Sequence, residues 1–298
     1  MLPRSKPDLD GVACAVAYAE FLRAKGTPAL PWYSGMPDAE ARYVISVFGD
    51  VYYASEEEVG AATSFVLVDA SGIEGFPERI DRSLVTEVID HRFHHDPRLA
   101  FPNAKIQVEA VGSAATLITE KFMSVREIPT RSAGSMIYGA IHSNTQRLRG
   151  SITSDRDHKA SSWLEQNVAL PPDLLDLQFA ARKEDILSDL PAAIARDHKS
   201  YSHNGVPFAI AQLEFEGAEE AFSGERDEIY RAIASLSPPT MLNLVDLKTS
   251  RSILVVPDER VRNLTAEALG IRFVGDLVVS DKAVLRKQIL DTFAGHSR

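Results

Sequence analysis

The 298-residue sequence has one cysteine, Cys14, so no disulfide can close within the chain, and a reducing compartment suits it. No apolar run approaches the roughly 20 residues of a membrane span, and the first residues lack a secretory pattern. Excess positive charge is missing too: 42 acidic residues against 32 basic give a formal net charge of −10. That balance excludes a nucleic-acid coat or an anionic membrane as the main partner. A phosphorylated ligand stays possible, because bound cations reverse the sign locally. Internal repeats and low-complexity tracts are absent. The expectation is a cytoplasmic protein, with 45% hydrophobic residues supplying buried cores.

Present instead are apolar runs alternating with amphipathic stretches. Residues 12–25 are alanine-rich and read as a helix ending at Gly26. Residues 43–48, 65–69 and 84–90 are rich in β-branched and aromatic types and read as strands. Residues 112–123 and 135–142 read as helices, and 76–80 as a short one. Trp32 and Tyr33 look like core or edge residues. Later come strands at 206–213, 241–246 and 252–256, helices at 225–235 and 261–269, and the run 274–279. Alternation of this kind predicts an α/β fold with a parallel sheet and crossover helices. Pro171-Pro172 and the acids around Glu184-Asp185 mark a connection. The expected division is 1–162, a connection at 163–190, and a smaller α/β domain at 191–298.

Chemistry concentrates where strands end. Asp8 and Asp10 flank Leu9 on a turn into the first helix, so both carboxylates can face one point. Asp69 closes the run Val66-Leu67-Val68, and Asp90-His91-Arg92 follows Val88-Ile89. Carboxylate oxygens and an imidazole suit hard divalent cations. Singly, each has an ordinary explanation, such as Asp8 capping a helix or Asp69 sitting in a turn. As an ordered set they point to a metal-dependent phosphohydrolase, with a carboxylate able to bridge two ions and Asp90 available to orient His91.

These residues resemble the DHH phosphoesterases, in particular the family II inorganic pyrophosphatases and short-chain exopolyphosphatases. Lys6-Pro7-Asp8-Leu9-Asp10 is similar to the first family motif, Val68-Asp69 to the second, and Asp90-His91-Arg92 to the name-giving third. Val111-Gly112-Ser113-Ala114-Ala115-Thr116 resembles the helix start that follows. Gly139 to Thr145 resembles the fourth motif, with Thr153 and Asp157 matching its downstream Thr and Asp. The resemblance implies metal ligands Asp8, Asp10, Asp69, His91 and Asn144 for one or two Mn²⁺ or Mg²⁺ ions. It implies a catalytic group of Asp90, His91 and Arg92, a small phosphorylated substrate, no long nucleic acid, and dimerisation as a family habit. Asp197 to Tyr201 and Val278 to Lys282 are similar to parts of the pyrophosphatase-type accessory domain. Lys199 and Lys282 there, with Arg4 and Arg92, become the substrate-binding candidates. The glycine-rich element of the oligonucleotide-cleaving branch has no counterpart.

Departures from the pattern shape the expectation. Arg4 stands where the first motif has histidine, Arg92 where the third has its second histidine, and Asn144 where the fourth has aspartate. Asp281 replaces a phosphate-contacting arginine, which disfavours plain pyrophosphate. Only Met1 to Lys6 precede Pro7, so the family's first strand is absent or the chain starts late. Two readings follow: a hydrolase with a reduced metal set, or a phosphate- or nucleotide-binding homologue without turnover. An ion between Asp69 and His91 would favour the first, and a salt bridge from Arg4 or Arg92 to Asp69 the second. His142 lies close enough in sequence to serve as ligand or acid, with a structural role preferred. Arg147 to Ser151 reads as a solvated loop, and the adjacent His94 and His95 as unsuited to joint chelation.

Overall fold

The structure is a computed structural model that describes residues 7–48, 50–73, 76–92 and 96–295. It divides into two compact units at Ala181 and Arg182.

The first unit is built on α1 (Leu9–Ala24), whose residues from Leu9 to Ala19 are all buried. A run of alanines favours the helix and keeps its surface thin enough for close neighbours on every side. Around it, in order, come α2 (Ala39–Val47), α3 (Glu56–Gly60), β1 (Phe65–Val68), β2 (Val85–Asp90), α4 (Pro97–Ala100) and β3 (Lys105–Val108). The helices α5 (Ala114–Val125), α6 (Arg131–Asn144) and α7 (Asp155–Asn167) follow, and α8 (Leu174–Ser188) runs across the division. The strands form one parallel sheet in the order β1-β2-β3. Phe65 and Leu67 face a cluster with Trp32, Val85 and Phe101, while Val66 and Val68 face the larger core of α1, α5 and α6. Because all three strands are parallel, their carboxyl ends lie on one edge, where Asp69, His91 and Val111 follow β1, β2 and β3.

The second unit opens with α9 (Leu190–Asp197), β4 (Lys199–His203) and β5 (Val206–Phe215), then α10 (Ala218–Gly224) and α11 (Arg226–Ala234). It continues with β6 (Thr240–Asp246), β7 (Arg251–Val255), α12 (Glu259–Leu269), β8 (Leu277–Ser280) and α13 (Arg286–Gly295). Its sheet runs β4-β5-β6-β7-β8, parallel only between β5 and β6. Strand alternation sends Ala211, Leu213 and Phe215 to one core with Ile194 and Ile229, and Phe208 and Ile210 to another with Val261 and Ile289. The α/β expectation is borne out.

Two local expectations need correction. Residues 43–48 belong to α2 and the residue that ends it, not to a strand. The Asp38 carboxylate accepts the Ala41 amide at 2.7 Å and starts the helix, and Ala41, Val44 and Phe48 recur at helical spacing on its buried side. Composition had favoured a strand; the period decided. Residues 76–80 form no helix but a turn in which the Ile80 amide donates to the Pro77 carbonyl at 3.0 Å. So short a segment gains too few hydrogen bonds to offset nucleation.

Gly112 sits where chain and neighbours meet. A Cβ there would lie 2.4 Å from Thr145 Cγ2 and 2.9 Å from Asp157 Oδ2. Gly112→Ala is expected to cost about 2 kcal/mol by overpacking. Thermal unfolding should show the transition of this unit roughly 4–8 °C lower.

Candidate metal centre

Each side chain of the strand-end cluster is held by a different local device. Asp8 is the N-cap of α1, accepting the Gly11 amide at 3.0 Å. Two residues on, Asp10 lies in the first turn of the same helix and is 1% exposed. Its carboxylate accepts from Ser113 Oγ and from the Ala114 and Ala115 amides, each at 2.9 Å. Those are the free N–H groups at the start of α5, where the helix dipole also favours negative charge. Asn144, the last residue of α6, donates its side-chain Nδ2 to Asp10 Oδ2 at 2.6 Å, and the Cys14 thiol touches Oδ1 at 3.4 Å.

Asp69 leaves β1 in a left-handed conformation, φ 52°, with its amide on the Ile89 carbonyl at 2.9 Å. Aspartate tolerates that region better than most residues, and the turn aims a buried carboxylate into the cluster. Next to it, Asp90 ends β2. Its Oδ1 accepts the backbone amides of His91 and Arg92 at 2.7 and 3.2 Å, while Oδ2 is buried with no hydrogen-bond partner among the described residues. Asp90 therefore shapes the turn and leaves the ring of His91 alone. That ring is oriented by the Val111 carbonyl, 3.1 Å from Nδ1.

The result is a convergence. His91 Nε2 lies 3.4 Å from Asp69 Oδ1 and 4.0 Å from Asp10 Oδ2. One ligand atom from each of Asp10, Asp69 and His91 falls within 4.8 Å of the others, and all three residues are enclosed. With Nδ1–H given to Val111, the lone pair of Nε2 is the one presented. Two oxygens and one imidazole nitrogen fit Mn²⁺ or Mg²⁺, with positions left for water or a ligand oxygen. Arg92 shares the space. Its Nε donates to His91 Nε2 at 2.7 Å, and its Nη2 lies 3.4 Å from Asp69 Oδ1 and 3.9 Å from Asp8 Oδ2.

Electrostatics follow from this crowding. Burial raises the Asp8 carboxyl to about 6, with Asp69 adding to the shift and Arg92 opposing it. Burial also raises Asp10, and the charge of His91 works against it. For His91, burial disfavours the cation, but Asp69 and Asp10 outweigh burial and raise its pKa. Arg92 follows the same logic: burial opposes its charge, and Asp69 and Asp8 more than restore it.

Of the residues singled out in the sequence, Asp8, Asp10, Asp69, His91, Arg92 and Asn144 meet here. Arg4, His94 and His95 lie outside the described residues. Lys199 is the exposed first residue of β4, and Lys282 is exposed just past β8; both belong to the second unit. His142 is buried with Nε2 on Ser161 Oγ at 2.9 Å, and burial plus the nearby Arg147 lower its pKa to about 4. Arg147 is no free loop cation: it binds Asp176 at 2.8 Å, stacks over Phe179, and lines a cavity of about 570 Å³ with Tyr138, Glu165 and Pro171.

Four residues carry no individual role in the sequence, where they stand only within a helix-start motif: Val111, Ser113, Ala114 and Ala115, the last two acting through their amides. Only Ser113 carried a signal, as a capping residue before an apolar helix. Asp157 supports them from beneath, accepting the Gly112 amide at 2.9 Å, Thr116 Oγ1 at 2.5 Å and the Ser154 amide at 2.7 Å.

Fold and site together define a two-domain α/β protein with an enclosed Asp-Asp-His centre at the edge of a parallel sheet. By sequence, the chain is similar along nearly its whole length to proteins described as probable manganese-dependent inorganic pyrophosphatases. A relative from Listeria welshimeri, described as a probable manganese-dependent inorganic pyrophosphatase, is 23% identical over 97% of this chain and 96% of its own. One of the same description from Lactobacillus helveticus is 27% identical over 95% and 93%. Among solved structures, a candidate family II inorganic pyrophosphatase from Methanococcus jannaschii superposes with a TM-score of 0.68 at 20% identity, covering 98% of both chains. An exopolyphosphatase-related protein from Bacteroides fragilis gives 0.54 at 12% identity, over 99% of this chain and 89% of its own. No family model matches the chain. The resemblance read from the motifs is thereby borne out, and the structural likenesses bear out the fold.

Asp69→Asn keeps a residue suited to positive φ and removes the charge. The fold should persist by circular dichroism, while Mn²⁺ affinity measured by calorimetry falls by more than the roughly 10–100-fold attributable to outer contacts. His142 yields a stability test. The unfolded chain takes up its proton near pH 6.5 and the folded chain only near 4, so stability declines as pH falls through that window. Denaturant titrations should show up to about 3 kcal/mol of this decline in the parent and none of it in His142→Gln.

Proposed function

We propose that the protein is a divalent-metal-dependent phosphohydrolase acting on a small phosphoanhydride or phosphoester: a short polyphosphate, a pyrophosphate-like compound or a small nucleotide. The observation that carries this reading is the convergence of Asp10, Asp69 and His91 at the carboxyl ends of β1 and β2. Homology to pyrophosphatases along nearly the whole chain supports it.

Asp10, Asp69 and His91 would hold the ion, with Asp8 and Asn144 at its border. A bound Mn²⁺ would supply Lewis-acid polarisation of a phosphoryl oxygen and acidify a water toward neutral pH. The chain does the rest. Val111 and Asp90 fix the imidazole and its turn, and the α5 amides fix Asp10, so the ligands need little reorganisation. Arg92, one quarter exposed, presents a guanidinium whose planar fork matches a phosphate. Lys199, Lys282 and Arg4 are proposed further phosphate contacts, the second unit serving as the substrate-binding domain.

A second reading is favoured by one observation, the Arg92–Asp69 ion pair at 3.4 Å. With the guanidinium resting on ligand atoms, the chain would bind a phosphate or small nucleotide without turning it over.

Phosphate release from pyrophosphate, tripolyphosphate, cyclic nucleotides and dinucleotides, each with Mn²⁺ and with Mg²⁺, separates the two. Turnover on at least one, abolished by chelator and by His91→Ala, is the expected result. Binding of these ligands in calorimetry with no phosphate release under any metal would establish the second reading instead.

A further inference from the structure

Three carboxylates, Asp8, Asp10 and Asp69, face this centre, and one arginine already stands among them. The Arg92 guanidinium uses its Nε and Nη2 as a fork across His91 Nε2 and Asp69 Oδ1, and the same Nη2 reaches toward Asp8. It therefore lies between Asp69 and Asp8. The neighbour at Asp10 adds no charge of its own. Asn144 is neutral, and the atom it turns to Asp10 Oδ2 at 2.6 Å is its amide nitrogen, a donor that binds a carboxylate but no cation.

Charge counting over these three side chains leans toward one ion. A single divalent cation beside Arg92 balances them, and a second would leave two positive charges in excess, of which the buried Asp90 next to Arg92 offsets one. Geometry agrees, since a second ion between Asp8 and Asp69 would have to displace the guanidinium from both.

We propose that the centre takes one divalent ion, on Asp10, Asp69 and His91, and that Arg92 is a built-in second cation occupying the Asp8–Asp69 position. This inference rests on the metal-binding reading above. An ion held there would need the His91 Nε2 lone pair that Arg92 Nε now occupies, with Nη2 left to Asp69 and Asp8.

The test is an equilibrium titration of the chelator-stripped full chain with Mn²⁺, to millimolar concentration, followed by electron paramagnetic resonance. The parent should bind one ion per chain, with the spectrum of an isolated Mn²⁺. Arg92→Lys keeps the charge and should also bind one. Arg92→Gln removes it and should bind the first ion roughly tenfold more tightly, then admit a second, weaker ion with an exchange-coupled signal. Circular dichroism establishes that the variants fold; if Arg92→Gln does not, the counts for the parent and Arg92→Lys decide. Two ions on the parent, or a single ion on a folded Arg92→Gln, overturn the proposal, as does no bound Mn²⁺ on any form. One bound ion without phosphate release would sink the hydrolase reading and leave this count standing; two ions with hydrolysis would do the reverse.

Discussion

The carboxylate of Asp10 is the contact on which the rest depends. Buried and charged, it would be costly without partners, and its partners come from three helices. α1 carries it, α5 offers its free amides and Ser113, and α6 ends on the Asn144 that reaches it. Loss of any one of these donors leaves an under-satisfied charge in the core, so the three helix ends are bound to one another through a single side chain. The same carboxylate lies 4.0 Å from His91, which couples the helices to the carboxyl edge of the sheet. Packing of the alanine-rich α1 positions that carboxylate, and the hydrogen bonds to it fix how closely the helices approach.

The strand ends follow the same economy of using backbone to aim side chains. Asp69 accepts a left-handed turn to point inward, and Asp90 gives up one oxygen to two consecutive amides. The left-handed turn at Asp69 costs little for an aspartate, and it sets a buried carboxylate beside an enclosed histidine.

Much of this was legible in the sequence. The Asp8/Asp10 pair reads as two carboxylates at the start of one helix, and Asp8 does cap α1 with Asp10 in its first turn, though Asp10 joins Asp69 and His91 while Asp8 meets Arg92. Asp69 and His91 were readable as strand-end residues, because parallel strands bring their carboxyl ends to one edge. What stayed hidden has a common cause. Val111, Ala114 and Ala115 act through backbone carbonyl and amide groups, which every residue owns, so no side-chain pattern announces them. The α2 segment was misread for a different reason: Tyr43, Val44 and Ile45 are strand formers by type, and only their register against Ala41 and Phe48 reveals the helix. For Arg92, the substitution was visible, but whether it reached Asp69 was a matter of geometry.

The placement of Arg92 bears on how such a centre comes to exist at all. Gathering three aspartates in an enclosed space is an electrostatic obstacle to folding, which metalloproteins commonly overcome only by taking up their metal. Here the chain brings its own counterion, two residues past β2 and so local to the strand whose end builds the site. Arg92 offsets part of that charge before any ion arrives, which lowers the obstacle without removing it. Starvation for metal would then idle the protein more than unravel it.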